Sequence, residues 1–241
     1  MNKKKRRKVF ILGASSDIGI EIIKKYLKEN YKVIAHYNQG NKYFFKFVKN
    51  NKNVEIIKFD FLKSFSSLET LVKKKFFDNC DVLINALGYI KEIEYTKVKI
   101  REIDNALKVN FYPSFMFTQS LGQMMIKRKW GRIVNLGSIG VKYGGSEKNS
   151  PYAISKHVLE FFPNQVQKWA SKNVLVNTVR VGLTDTKIHL KLRTKNMKKR
   201  INLVPLKRMA DKSEIANFIF FLGSDRNSYI SNQIIRISGG E

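Results

Sequence analysis

Short apolar runs recur along the chain, separated by longer stretches in which apolar residues return every three or four positions. Lys8–Leu12, Lys32–Tyr37, Val54–Phe59, Asp81–Asn85, Arg132–Leu136, Val174–Arg180 and Gln233–Ile237 read as strands. They are short and apolar, as strands buried on both faces should be. Helical periodicity covers Ile18–Glu29, Ser66–Phe76, Arg101–Lys127, Tyr152–Ser171 and Lys212–Leu222. Strict alternation of strand and helix implies right-handed crossovers. The pattern therefore predicts an α/β fold, a doubly wound parallel β-sheet of about seven strands with helices on both faces. No repeat, low-complexity linker or composition break divides residues 1–241, which read as a single domain. Pro163 falls inside the fourth helical pattern and is expected to kink it by removing one backbone hydrogen bond.

Composition narrows the class. With 43% hydrophobic residues in 241, the chain can bury a full core. One cysteine, Cys80, excludes an intrachain disulfide and fits a reducing cytoplasm. No apolar run approaches the ~18 residues of a membrane span. The apolar stretch after Lys3–Lys8 is only Val9–Leu12, too short for a signal peptide, so the expected location is cytoplasmic. The 46 basic and 19 acidic residues leave a net charge of +27. Such a balance can serve nucleic acid or an acidic partner. However, Lys, Asn, Ile and Phe are enriched from end to end, which is the mark of compositional bias, and Lys3–Lys8 reads as a solvated tail. No zinc-ligand spacing or RNA-binding aromatic motif accompanies the charge.

Two stretches carry candidate chemistry. Gly13-Ala14-Ser15-Ser16-Asp17-Ile18-Gly19 joins the first strand to the first helix. Small residues there let the backbone approach a pyrophosphate, and the helix N-terminus offers free N–H groups and a positive dipole end. Ser15 and Ser16 can add hydroxyl donors, while Asp17 is expected to be the N-cap. In Tyr152-Ala153-Ile154-Ser155-Lys156, positions i and i+4 share one helix face. A phenol titrates near pH ~10, and an adjacent ammonium is expected to lower that value and make Tyr152 a usable acid/base. His36, His157 and His189 form no metal set; His157 faces about 100° away from Lys156 on the helix, and no metal is assigned.

Taken together, these motifs resemble the short-chain dehydrogenase/reductase family over nearly the whole chain. Besides the glycine turn, Asn85-Ala86-Leu87-Gly88, Val109-Asn110, Gly131 to Ser138, Tyr152-x-x-x-Lys156, Val181 to Thr186 and the tail from Pro205 to Gly240 follow in the family's order. The departures are Leu12 for threonine, Asp17 for glycine, Val181 for proline and two within Asn85-Ala86-Leu87-Gly88, where the family has Asn-Asn-Ala-Gly. The resemblance implies a Rossmann fold binding NAD(P) and interconverting a carbonyl and a secondary alcohol. It assigns Tyr152 as proton donor, Lys156 as its electrostatic partner and ribose contact, and Ser138 as hydrogen-bond partner of the substrate oxygen. Asn110 would hold a water linking Lys156 to solvent.

The implied cofactor contacts are Gly13, Ser15, Ser16, Ile18, Gly19, Tyr37, Asn38, Asp60, Phe61, Asn85, Gly88, Tyr152, Lys156, Gly182, Thr184 and Thr186. Tyr37 stands where an acidic residue would select NAD(H); with Asn38 and nearby Lys42 it favours NADP(H). The family's lid, Thr186 to Ala210, holds nine basic residues (Lys187, Lys191, Arg193, Lys195, Lys198, Lys199, Arg200, Lys207 and Arg208) and no acidic one. That charge points to an anionic or acidic-carrier-bound substrate, and a 3-oxoacyl group on acyl carrier protein is the leading candidate because the chain is similar to the family's reductases of that substrate. The alternatives are a sugar or other small ketone in surface-polysaccharide metabolism, a dinucleotide-binding sensor and a basic nucleic-acid binder. A homotetramer or homodimer is the family's expected form.

Overall fold

In the computed structural model, which describes residues 6–187 and 197–241, seven strands form one sheet in the order β3-β2-β1-β4-β5-β6-β7. They are β1 (Lys8–Leu12), β2 (Lys32–Tyr37), β3 (Val54–Lys58), β4 (Val82–Asn85), β5 (Gly131–Ser138), β6 (Val174–Val181) and β7 (Ile234–Ile237). Every neighbouring pair is parallel. The chain winds outward from β1 to β3, then crosses back to β4, so strand order reverses between β1 and β4. In such sheets ligands bind at the carboxyl ends beside this reversal.

Successive strand residues point to opposite faces, which splits the core in two. Val9, Ile11, Val82, Ile84 and Val134 pack against α1 (Asp17–Lys28) and, near the end of the chain, the helix Lys212–Leu222. Phe10, Leu12, Leu83 and Ile133 pack on the other side with Leu68, Leu71, Phe117, Leu121 and Trp169. The five central strands are covered on both faces as expected. The edge strands differ: β3 leaves Glu55 and Ile56 exposed, and β7 leaves Ile234 exposed, because each lacks a neighbour on one side.

Between α1 and the end of the chain the helices are α2 (Lys42–Lys49), α3 (Phe65–Val72), α4 (Ile100–Asn110), α5 (Tyr112–Lys127), α6 (Ser150–Val158), α7 (Asn164–Gln167) and α8 (Met197–Leu203); α9 is Lys212–Leu222. Two expected helices are each broken in two. Arg101–Lys127 divides at Phe111, because Pro113 has no N–H to continue the ladder and sits instead in the first turn of α5. Tyr152–Ser171 is not kinked at Pro163 but ends at Val158: Pro163 has no N–H to offer Leu159 O, and its ring crowds that carbonyl. β6 holds this break in place: Thr178 Oγ1 donates to Leu159 O at 2.7 Å, and Arg180 forks onto the Glu160 carboxylate at 2.6 and 2.7 Å.

The basic N-terminal run is engaged where it is described. Arg6 donates to Asn53 Oδ1, Arg7 lies 3.5 Å from the centre of the Trp130 ring, and Lys8 begins β1. Lys3, Lys4 and Lys5 lie outside the described residues.

Candidate active site

The loops after β1, β4 and β5 meet at the strand-order reversal. Gly13 leaves β1 with φ +73° and packs so closely that a Cβ would stand 2.6 Å from Ala86 O. Only glycine fits there. Gly19, one turn into α1, is as tight: its Cβ would stand 2.6 Å from Gly13 O. The backbone of this turn is therefore bare, and the first N–H groups of α1 open onto the sheet's carboxyl edge, as a dinucleotide pyrophosphate requires.

The side chains of the turn depart from expectation. The N-cap is Ser16, whose Oγ accepts from Gly19 N at 3.0 Å, and not Asp17. Asp17 is the first helical residue, and its Oδ2 instead accepts from Lys187 N at 2.7 Å. A serine at the cap leaves the carboxylate free to reach a backbone donor from the loop after β6. Ser15 donates to Gln39 O at 2.8 Å, so its hydrogen is committed to the end of β2. Asp60 accepts from Leu62 N at 3.0 Å and shapes its own turn. Phe61 is buried under His36, Tyr37 is half-buried against Phe44 and Phe45, and Asn38 is exposed.

At the end of β4, Asn85 accepts from Leu87 N and donates to Asn110 O, both at 3.2 Å. Asn110 is fully buried at the C-terminus of α4. Its Nδ2 donates to Tyr89 O at 3.0 Å and to Ser155 Oγ at 2.8 Å, while its Oδ1 accepts from Tyr89 N at 2.7 Å. Ser155 in turn donates to Tyr152 O at 2.7 Å. The asparagine thus clamps the loop after β4 to the helix that carries Tyr152.

Ser138 ends β5 and caps the following turn, accepting from Gly140 N at 3.1 Å. Its side chain also lies beside the Tyr152 phenol. Lys156 is buried, and its Nζ donates to Leu87 O at 2.7 Å and Leu136 O at 2.6 Å. An ammonium has three donors, so one is left for a ligand. Burial lowers the Lys156 pKa from 10.5 to about 7. The Tyr152 phenol is raised by burial, with Ser138 pulling it down in part.

The expected lowering of the Tyr152 pKa by Lys156 is therefore not what the site does in this state. Nζ sits 5.8 Å from the ring centre, and burial favours the neutral form of both groups. The site rests as a protonated phenol beside a lysine poised near neutrality. That arrangement suits a proton donor.

After β6, Thr184 is buried and donates to Gly182 O at 3.0 Å, and Thr186 donates to Thr184 O at 3.4 Å. The lid's cations are less available than the sequence suggests. Arg200 pairs with Glu241 at 2.6 Å, Arg208 forks onto Glu214 at 2.7 and 2.8 Å, and Lys207 donates to Asn202 O. Lys191, Arg193, Lys195 and His189 lie outside the described residues. Neither His36 nor His157 belongs to a cluster of three metal-ligand side chains among the described residues.

The carbonyl ligands of Lys156 had no sequence signal, because any residue type can supply a backbone oxygen. Ser155 stood beside Lys156 in the motif, but its link to Asn110 needed the meeting of α4 and α6.

A bare glycine turn at the reversal of a parallel sheet, facing a serine–tyrosine–lysine group, defines a dinucleotide-dependent oxidoreductase. Residues 13–241 match the family model described as Enoyl-(Acyl carrier protein) reductase. The chain is 32% identical over 98% of its length to the 3-oxoacyl-[acyl-carrier-protein] reductase of Buchnera aphidicola subsp. Acyrthosiphon pisum, covering 97% of that protein. It is 33% identical to the Aquifex aeolicus protein of the same description over 74% of this chain and 70% of that one. A solved structure from Beutenbergia cavernae, described as an NAD(P)-dependent gluconate 5-dehydrogenase with bound NADP, superposes with TM-score 0.86 at 25% identity, covering 97% of this chain and 96% of that one. The chain belongs to the short-chain dehydrogenase/reductase family and is an NAD(P)-dependent oxidoreductase. No helix among the described residues is long and apolar enough to cross a membrane.

The buried lysine makes a pH prediction in the ligand-free protein. Between about 7 and 10.5 the unfolded chain holds a proton at Lys156 that the folded chain has released, so this group's contribution to stability rises with pH across that window. Lys156→Met abolishes the term. The melting-temperature difference, variant minus wild type, should fall as pH rises from about 7 toward 10.5. A difference independent of pH would contradict the burial-shifted amine.

Proposed function

We propose that the protein reduces the 3-oxo group of an acyl chain carried on acyl carrier protein, with NADPH as donor. The observation that carries the chemistry is the Ser138–Tyr152 hydroxyl pair beside buried Lys156. Two hydroxyls converging on one point hold an oxygen, which suits a carbonyl better than an isolated carbon–carbon double bond. Bound nicotinamide would supply the hydride. Ser138 donates to the substrate oxygen as negative charge develops there, and Tyr152, kept protonated by burial, delivers its proton to that oxygen. Lys156 places its third donor toward the ribose and stabilises the phenolate left behind. Asn110 keeps α6 in register through Ser155, with only Oδ1 lone-pair capacity left for water.

The cofactor reading takes Gly13, Ser16, Ile18 and Gly19 as the pyrophosphate turn, Tyr37 and Asn38 as the ribose end and Asp60 and Phe61 as the adenine wall. Asn85, Gly88, Gly182, Thr184 and Thr186 complete it near the nicotinamide. NADP(H) is favoured because no acidic residue follows β2 at Tyr37 and Asn38. Asp17 opposes binding, since its carboxylate sits at the helix end that phosphates need and occupies Lys187 N.

The carrier-bound substrate rests on the names of the Buchnera and Aquifex relatives. Arg200, Lys207 and Arg208 are tied to their own fold, so the lid's charge lends this substrate less weight than its sequence did. A sugar ketone is the second reading, favoured by the description of the Beutenbergia structure. A homotetramer or homodimer belongs to the same proposal, as does a cytoplasmic location, which the free, buried Cys80 thiol fits.

The test is NADPH oxidation with 3-oxoacyl thioesters against a panel of sugar ketones. Tyr152→Phe should lower turnover at least ~100-fold while leaving NADPH binding intact; near-normal turnover would refute the assignment. Asp17→Gly should tighten NADPH binding about fivefold in a fluorescence titration, the worth of ~1 kcal/mol. Unchanged or weaker binding would remove Asp17 from the phosphate site. Tyr37→Asp should shift kcat/KM toward NADH, because a carboxylate repels a 2′-phosphate and accepts from a free hydroxyl. A wild type that already prefers NADH would sink the NADPH reading.

A further inference from the structure

His36 is a histidine on β2 whose ring never reaches solvent, at 1% exposure. Its Nδ1 accepts from Gly13 N at 3.2 Å, and its Nε2 lies 3.0 Å from Phe59 O. These partners fix the tautomer: a backbone N–H needs a bare nitrogen and a carbonyl needs an N–H, so the proton is on Nε2. Its own carbonyl accepts from Ala14 N at 2.8 Å. The ring packs on Phe61 with centroids 4.5 Å apart. Burial depresses the pKa to about 4, leaving the imidazole neutral at physiological pH. One side chain therefore joins the turn after β1 to the segment that leaves β3.

This excludes the obvious role for a histidine at this strand end. A neutral, buried ring with both nitrogens committed cannot serve as a cation for a 2′-phosphate. What it can do is hold two loops at a fixed separation. Gly13 has φ +73° and no side chain of its own to anchor it, and its backbone N–H is satisfied by His36.

We propose that His36 is the positioning residue of the adenosine half of the cofactor site, setting the glycine turn against the adenine wall through its Gly13–Nδ1 and Nε2–Phe59 hydrogen bonds. The proposal rests on the dinucleotide reading above. It deepens that reading by placing a control of cofactor affinity on a residue that touches no cofactor. Its effect falls on binding and not on the chemical step, because Ser138, Tyr152 and Lys156 stand on β5 and α6.

Three substitutions separate the two hydrogen bonds. Asparagine puts an acceptor near the Nδ1 position and loses the Phe59 contact. Glutamine puts a donor near the Nε2 position and loses the Gly13 contact. Leucine loses both. NADP+ and NAD+ binding is measured by calorimetry on each variant, with melting temperature and, where a substrate turns over, kcat and cofactor KM. Loss of a partner for a buried N–H is expected to weaken the tighter-binding nucleotide ~10-fold in His36→Gln and His36→Leu. His36→Asn, which keeps the acceptor for Gly13 N and cuts the tie to the adenine wall, should weaken binding by a smaller ~3-fold, and kcat at saturating cofactor should change less than ~2-fold in all three.

If His36→Leu fails to fold, the asparagine and glutamine variants still decide, since both keep a polar group in the site. Equal affinity in wild type and His36→Gln overturns the positioning role alone. So does an equal loss in the asparagine and glutamine variants that follows melting temperature, because that pattern is general destabilisation. A wild type that binds neither nucleotide overturns the dinucleotide reading and this inference together.

Discussion

The active end of the sheet depends on a buried amine held by two carbonyls. Lys156 ties α6 to the ends of β4 and β5, through Leu87 O and Leu136 O. Taking an ammonium out of water is costly, and a low-dielectric site refunds part of that cost by strengthening the two remaining hydrogen bonds. The outcome is an amine near neutrality that orients a helix. The loop after β4 is then fastened a second time by Asn110, which reaches Ser155 on the same helix face as the lysine's neighbours. The placement of Tyr152 and the docking of its helix are thus one network.

A second economy appears in how protons are stored. Burial pushes a phenol and an amine in opposite directions on the pH scale, yet both shifts favour the uncharged form. The resting site carries little charge, in keeping with the polyanionic ligand and developing oxyanion of the proposed reaction. The carboxylate of Asp17 is the exception. In the proposed cofactor site it places a negative charge where the family usually has glycine.

Much of this was legible in residue order. Buried parallel strands are short apolar runs, and all seven were found within two residues at either end, because both faces of the central strands are covered. The Tyr152–Lys156 spacing is a property of the helix itself. What could not be read was which atom of a residue acts. Asp17 and Ser16 are equally good caps by type, and only the path of the chain after β6 sends one of them to Lys187 N. The breaks at Phe111 and Val158 were signalled by Pro113 and Pro163, but proline does not say whether a helix bends or stops. His36 was given no role beyond belonging to no metal set, since nothing in sequence brings Gly13 and Phe59 to its two nitrogens. Part of the lid's charge is neutralised within the fold, and the sequence hid this because the acidic partners of Arg200 and Arg208, Glu241 and Glu214, come later in the chain.

The early end of α6 has a mechanical meaning. A continuous helical rod transmits a displacement at one end to the other, so a change at its far tip would swing Tyr152. Here the rod stops at Val158, and the segment beyond is riveted to β6 through Leu159 and Glu160. Substitutions, insertions or new contacts between Phe161 and Lys172 have no lever arm on the phenol. Apart from Val166 and Trp169, which stay packed in the core, that segment is free to drift in sequence or acquire neighbours while the Tyr152 phenol stays where it is.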